Sequence, residues 1–82
     1  MNDSEIRDIV LSEIHKVAPD IDPADVSDDD HLQDDLELDS MDILSLVTAL
    51  HERLGISIPE AEYPEIDTPA KAVRYLAGKI TG

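Results

Sequence analysis

The chain contains no cysteine, no phenylalanine and no tryptophan. Without Cys there is no disulfide, no thiolate metal site and no thiol nucleophile of the protein's own. Without Phe or Trp the core must be aliphatic. Basic residues are scarce: Arg7, Lys16, Arg53, Lys71, Arg74 and Lys79 stand against twenty Asp and Glu, for a net charge of −14. A nucleic-acid face needs clustered Lys and Arg, so this balance argues against one. No stretch approaches the roughly 20 apolar residues of a membrane span. The N-terminus Met1-Asn2-Asp3-Ser4-Glu5 is acidic and lacks a secretory n-region, so a cytoplasmic location is expected.

What is present is helical periodicity. The 82 residues, 41% of them hydrophobic, are expected to form a single domain spanning 1–82. A chain of this size buries only about 60–65% of its unfolded surface, so its stability is marginal. Ile6, Ile9, Val10, Ile14 and Val17 recur at the 3.6 period and predict a first helix over 3–17. Ser4 or Asp3 is its expected cap, and Pro19 closes it. His15 is expected at the surface.

Residues 19 to 39 form a long acidic connection. Pro19, Pro23 and many Asp oppose a continuous helix there. Ile21, Val26, Leu32, Leu36 and Leu38 are spaced to tether the loop to the core. Asp22-Pro23-Ala24-Asp25 can make a single turn. The acids do not form a calcium loop of the EF-hand type, which needs Gly at its sixth position and Glu at its twelfth. His31 has no metal-binding partner at useful spacing.

A second helix is predicted over 40–54, ended by Gly55. At 100° per residue, Ile43, Leu46, Val47, Leu50 and Leu54 fall within about 100° of one another and form its core face. Met41, Leu44 and Thr48 fall on nearly the opposite side, beside Ser45 and Glu52. A helix packed on one side does not need that second apolar stripe. Ile56 and Ile58 belong to an extended link. A short helix over 60–66 follows, of one or two turns because Pro64 interrupts it. Thr68-Pro69 then predicts a cap and first position for a last helix over 69–80. Ala72, Val73, Leu76 and Ile80 line its inner face, with Tyr75 near the edge. Gly78 and Gly82 point to a frayed end. The fold class is all-α: a four-helix bundle of three longer helices and one short one.

Ser40 stands where the second helix begins. Read alone, it is an N-cap. Its surroundings say more. Asp39-Ser40-Met41-Asp42 heads the second helix of this four-helix pattern. Leu36 and Leu38 precede it, Gly55-Ile56-Ser57-Ile58-Pro59 follows, and Thr68 stands before the last helix. Over nearly its whole length the chain resembles the acyl carrier protein family. That resemblance implies 4′-phosphopantetheine attached through a phosphodiester to Ser40, and a thiol supplied by the prosthetic group to a chain that has none. It implies a non-catalytic carrier that holds acyl groups as thioesters, with fatty-acid biosynthesis as the leading role. Two positions depart from the family pattern. Glu37 stands where the family usually has Gly, and Met41 where Leu is commonest.

Docking residues are expected at Asp39, Met41, Asp42, Leu44, Thr48 and Glu52. The acids would steer basic patches of a phosphopantetheinyl transferase and of acyl-transfer and synthase enzymes. Ile43, Leu46, Val47, Leu50, Ile66 and Val73 are expected to wall an acyl chain entering from the Ser40 end, without aromatic plugs. A monomer without metal, nucleic acid or membrane span is expected. Ser40 has no His placed by sequence to activate it, which opposes an enzyme. Alternatives are a specialised carrier for polyketide, aminoacyl or special-lipid assembly, and an unmodified acidic interaction module. Peptidyl carriers usually show Gly or His before the Ser, and Asp39 disfavours them.

Overall fold

The computed structural model describes residues 1–81. Helix α1 spans Asp3–Val17, and its cap is Asn2, not Ser4 or Asp3. Asn2 Oδ1 accepts from the Glu5 N–H at 2.8 Å, while Glu5 Oε1 accepts from the Asn2 N–H at 3.1 Å. This reciprocal box satisfies two N–H groups that a Ser at position 4 would leave open. His15 and Lys16 sit in the last turn, where the helix dipole favours cations. Ile6, Val10 and Ile14 are buried as the period requires. Leu11 is buried as well, because α1 packs against two helices and shows a face to each.

The acidic connection is tied down at several points. Pro23–Asp25 forms one 3-10 turn, capped by Asp22. Val26, Leu32 and Leu38 are buried, and Ile21 and Leu36 are half-buried. The Leu32 N–H donates to the Asp67 carbonyl at 2.9 Å, and the Ala70 N–H to the Asp28 carbonyl at 3.1 Å. Arg7 of α1 pairs with Asp28 at 2.7 Å. Hydrophobic pegs and hydrogen bonds together offset the entropy cost of ordering so long a loop.

Helix α2 spans Ser40–Leu54 and stops at Gly55, whose φ of +69° is the left-handed conformation that favours glycine. Ile43, Leu46, Val47 and Leu50 face the core. Glu60–Ile66 is a seven-residue 3-10 helix that accommodates Pro64 inside it. Helix α3 spans Pro69–Thr81. The Thr68 hydroxyl accepts from the Lys71 N–H at 3.2 Å, as its expected cap role requires. Ala72 and Leu76 are buried, and Val73 is half-buried. Ile80 departs from expectation: it keeps the phase of that face but is 36% exposed. The expectation placed on Gly82 lies outside the described residues.

Among the described residues the architecture is therefore all-helical: three α-helices, the 3-10 turn at Pro23–Asp25 and the longer 3-10 helix at Glu60–Ile66. Helix α1 lies at the centre, against α2 on one side and α3 on the other, and the 3-10 helix packs on α3. Among the described residues, no Cα of α2 comes within 8 Å of one in the 3-10 helix. That separation leaves an opening beside the start of α2. No helix of the described residues is long and apolar enough to cross a membrane.

One backbone position is out of the ordinary. Glu37 has φ of +60°, the only non-glycine residue described with positive φ. An L-residue there crowds its Cβ against the following carbonyl, at a cost of about 1–2 kcal/mol.

Candidate functional site

Ser40 is the first helical residue of α2 and is not its cap, contrary to the simplest reading of a Ser at that place. Asp39 takes that role. Its Oδ1 accepts from the Asp42 N–H at 2.8 Å, and Asp42 Oδ2 accepts from the Asp39 N–H at 3.3 Å. A carboxylate on each side of the box also suits the positive end of the helix dipole. Relieved of capping, Ser40 is exposed, and its hydroxyl has no hydrogen-bond partner among the described residues. The N–H groups of Ser40 and Met41 are unpartnered as well.

A groove of about 460 Å³ opens beside Ser40. Met41, Ile43 and Leu44 of α2 form one wall. Tyr63, Pro64 and Ile66 of the 3-10 helix form the other. Leu32 lies within it, and His31, Gln33, Asp34, Glu60 and Asp67 supply polar edges. The His31 N–H donates to Asp35 Oδ2 at 2.7 Å, and that bond chiefly holds the Asp35 carboxyl below its ordinary range.

The structure divides the expected acyl-contact residues. Ile43 and Ile66 line the groove. Leu46, Val47 and Leu50 lie behind it in the core, where Leu46 and Leu50 touch almost no solvent. Val73 lines a different cleft, between α1 and α3, together with Arg7 and Arg74. The groove is also not free of aromatics, since Tyr63 forms part of its wall. The sequence marks Leu32 only as a loop tether and does not single out Tyr63, because no periodicity shows which loop and short-helix residues border a groove.

The expected docking residues lie on α2 and at its cap, Asp39. Asp39, Met41, Leu44, Thr48 and Glu52 are exposed and Asp42 is half-buried. Met41 is 69% exposed and Leu44 47%, too open for core positions. Both residues also form the lip of the groove, so the second apolar stripe of α2 serves the groove and the outer surface together. The Thr48 hydroxyl donates to the Leu44 carbonyl one turn back at 2.9 Å.

His51 comes within 3.4 Å of the Ser57 hydroxyl through Nδ1. The same Nδ1 lies 3.2 Å from the Ile56 carbonyl. With the proton on Nδ1 the ring donates to the Ile56 carbonyl, and with Nδ1 bare it accepts from the Ser57 hydroxyl.

Comparison with known proteins agrees with this geometry. A family profile described as "Phosphopantetheine attachment site" matches residues 4–76. The acyl carrier protein of Wolinella succinogenes is 32% identical over 72 residues, covering 88% of each chain. That of Campylobacter hominis is 38% identical over 72 residues, covering 88% of this chain and 85% of the relative. Acyl carrier protein 2, mitochondrial, of Arabidopsis thaliana is 38% identical over 77 residues, covering 94% of this chain and 60% of the relative. The chain belongs to the acyl carrier protein family, whose prosthetic group is covalently bound 4′-phosphopantetheine. The residues at the head of α2 fit such a group: an exposed hydroxyl, two unpartnered N–H groups beside it, and an apolar groove within reach.

Proposed function

We propose that Ser40 carries the 4′-phosphopantetheine and that the protein is a non-catalytic acyl carrier of fatty-acid biosynthesis, working in the cytoplasm. The observation that carries this reading is the uncommitted Ser40 hydroxyl at the mouth of the groove. When bound, the prosthetic group supplies the thiol that holds acyl groups as thioesters. The chain itself supplies presentation. Asp39 and Asp42 fix the start of α2, so Ser40 is held outward on a rigid element. The Ser40 and Met41 N–H groups, at the positive end of the helix, favour a phosphodiester. Ile43, Ile66, Leu44 and Tyr63 shelter an acyl chain from water, each buried methylene contributing roughly 0.8 kcal/mol. Partner enzymes are a phosphopantetheinyl transferase and acyl-transfer and synthase enzymes whose basic patches meet the acids of α2.

The test is loading. Incubation with a broad-specificity phosphopantetheinyl transferase and coenzyme A adds one phosphopantetheine mass to the wild type and none to Ser40→Ala. Modification that persists in Ser40→Ala refutes the assignment. A chain that is never loaded, in its host or in the assay, is an unmodified interaction module instead.

A further inference from the structure

Among the described residues that line the groove beside Ser40, His31 alone can carry a positive charge. The other charged edges are Asp34, Glu60 and Asp67, and Asp39 and Asp42 stand at the head of α2. A phosphodiester on Ser40 brings one more negative charge among these carboxylates. The Ser40 and Met41 N–H groups offset it with partial charges only.

His31 is fixed by its backbone. Its N–H donates to Asp35 Oδ2 at 2.7 Å. Its carbonyl accepts from the Asp35 N–H at 2.8 Å and from the Leu36 N–H at 3.1 Å. Its neighbour Leu32 is buried and accepts from the Leu38 N–H at 2.9 Å, which ties this segment to the residues just before Ser40. The ring is exposed, and its Nδ1 lies 3.4 Å from Asp35 Oδ2. Nε2 has no partner among the described residues. Asp35 orients the ring from one side and leaves the other nitrogen open, as a carboxylate beside an imidazole does at many ligand sites.

The protonation state decides what Nε2 can do. A neutral ring with its proton on Nδ1, toward Asp35, leaves Nε2 a bare acceptor, which disfavours another oxygen. A protonated ring donates from both nitrogens. We propose that the protonated His31 ring is a contact of the prosthetic group, with Nδ1–H toward Asp35 and Nε2–H donating to a phosphodiester oxygen on Ser40. The inference rests on Ser40 being the loaded residue. The phosphodiester is favoured over the carbonyls farther along the arm for two reasons. It is bonded directly to Ser40, which lines the same groove as His31. A bond between two charged groups is also roughly twice as strong as a neutral one.

The test uses the full chain, apo and loaded, titrated between about pH 5 and 8, where histidine changes charge. A phosphodiester does not itself titrate there, so movement of its phosphorus NMR signal reports a neighbouring group. In the loaded wild type that signal is expected to step with the His31 ring. The midpoint of the ring titration, followed by its proton signals, is expected about 0.5–1 unit higher in the loaded protein than in the apo protein. His31→Gln removes the phosphorus step, whereas His15→Gln and His51→Gln keep it. The carboxyls of Asp34, Asp35, Glu60 and Asp67 are common to all these proteins, so the comparison isolates the ring. The apo and loaded wild type test the contact even if His31→Gln does not fold. Equal ring midpoints in the two forms overturn the inference. So does a phosphorus step that survives His31→Gln. A ring midpoint that moves while the phosphorus signal stays still also overturns it, and would place the ring on the arm beyond the phosphate. A wild type that is not loaded at Ser40 removes the carrier reading itself, a failure seen by mass spectrometry before any titration.

Discussion

Glu13 of α1 accepts a hydrogen bond from Arg53 of α2 at 3.0 Å, from a position only 4% exposed. Lys16 reaches the same oxygen at 3.2 Å. Burial alone would raise the Glu13 carboxyl. The bonds to Arg53 and Lys16 and their charges outweigh it, and the net shift is downward from the ordinary value of 4.5. A carboxyl with a depressed folded pKa contributes stability that is complete above its unfolded value and is lost as pH falls through the folded one. The stability difference between wild type and Glu13→Gln should therefore hold near neutral pH and shrink below about pH 4.5. Taking that difference cancels the repulsion among the other acids, which changes over the same range. Arg53→Ala leaves a buried carboxylate with Lys16 alone and should cost about 1–3 kcal/mol. Glu13→Gln should cost less than Arg53→Ala. Denaturant melts that rank the two the other way would show that the pair does not hold α1 to α2.

The two residues at the head of α2 should separate in a stability assay. Asp39 caps the helix and Ser40 does not. Asp39→Ala should cost about 1 kcal/mol, within the usual range for a lost cap. Ser40→Ala should stay within about 0.5 kcal/mol, as for an exposed residue with no partner. Equal losses in urea titrations would return the capping role to Ser40.

The unequal legibility of the fold in its sequence has physical causes. The bounds of α1, α2 and the short helix were readable because apolar period and breaker residues agree there. At α2, Gly55 stops the chain where the apolar stripe ends. Capping was read less well, because Asn2, Asp3 and Ser4 are all good caps, and only the partner Glu5 decides among them. The same holds at Asp39 and Ser40, where Asp42 decides. Membership of the groove was the least readable. It depends on how α2 and the 3-10 helix are spaced, a tertiary fact that no periodicity contains. Leu46 and Ile43 share one face of α2, yet only Ile43 reaches the opening. The positive φ of Glu37 left its trace only in the departure from the glycine usual in the family.

Charge repulsion should tune stability. The interval from Lys16 to Arg53 contains no basic residue and twelve acids, and Arg7–Asp28 is an ion pair across its edge. Screening shortens the reach of repulsion to about 8 Å at physiological ionic strength and about 3 Å at 1 M. The melting temperature should therefore rise between low and high salt, and millimolar Mg²⁺ should raise it at constant low ionic strength. Since about 1 kcal/mol moves the melting temperature of a domain this size by roughly 4–8 °C, the effect is measurable. Melts that do not change with salt or Mg²⁺ would mean that the loop acids are too well solvated to matter.

Docking on α2 should divide into a steering component and an anchoring one. Glu52 is exposed and without a partner among the described residues, so its charge is free to act at a distance. Asp42 has one oxygen engaged by the Asp39 N–H, and Asn at that position keeps an acceptor for the bond. Asp42→Asn and Glu52→Gln should thus slow association with the transferase and flatten its salt dependence, with stability changed by less than about 0.5 kcal/mol. Met41 carries no charge and is open to solvent in the free protein. A partner that covers it removes that surface from water, and truncation should appear in the dissociation rate with the salt dependence unaltered. The experiment uses the unacylated chain, because Met41 also borders the groove and an acyl group would mix the two roles. Stopped-flow association across a salt series, with dissociation by competition, reads both rates. If Met41→Ala alters only association, or the acid variants alter only dissociation, then the transferase does not engage this face of α2 through a Met41 anchor ringed by acids.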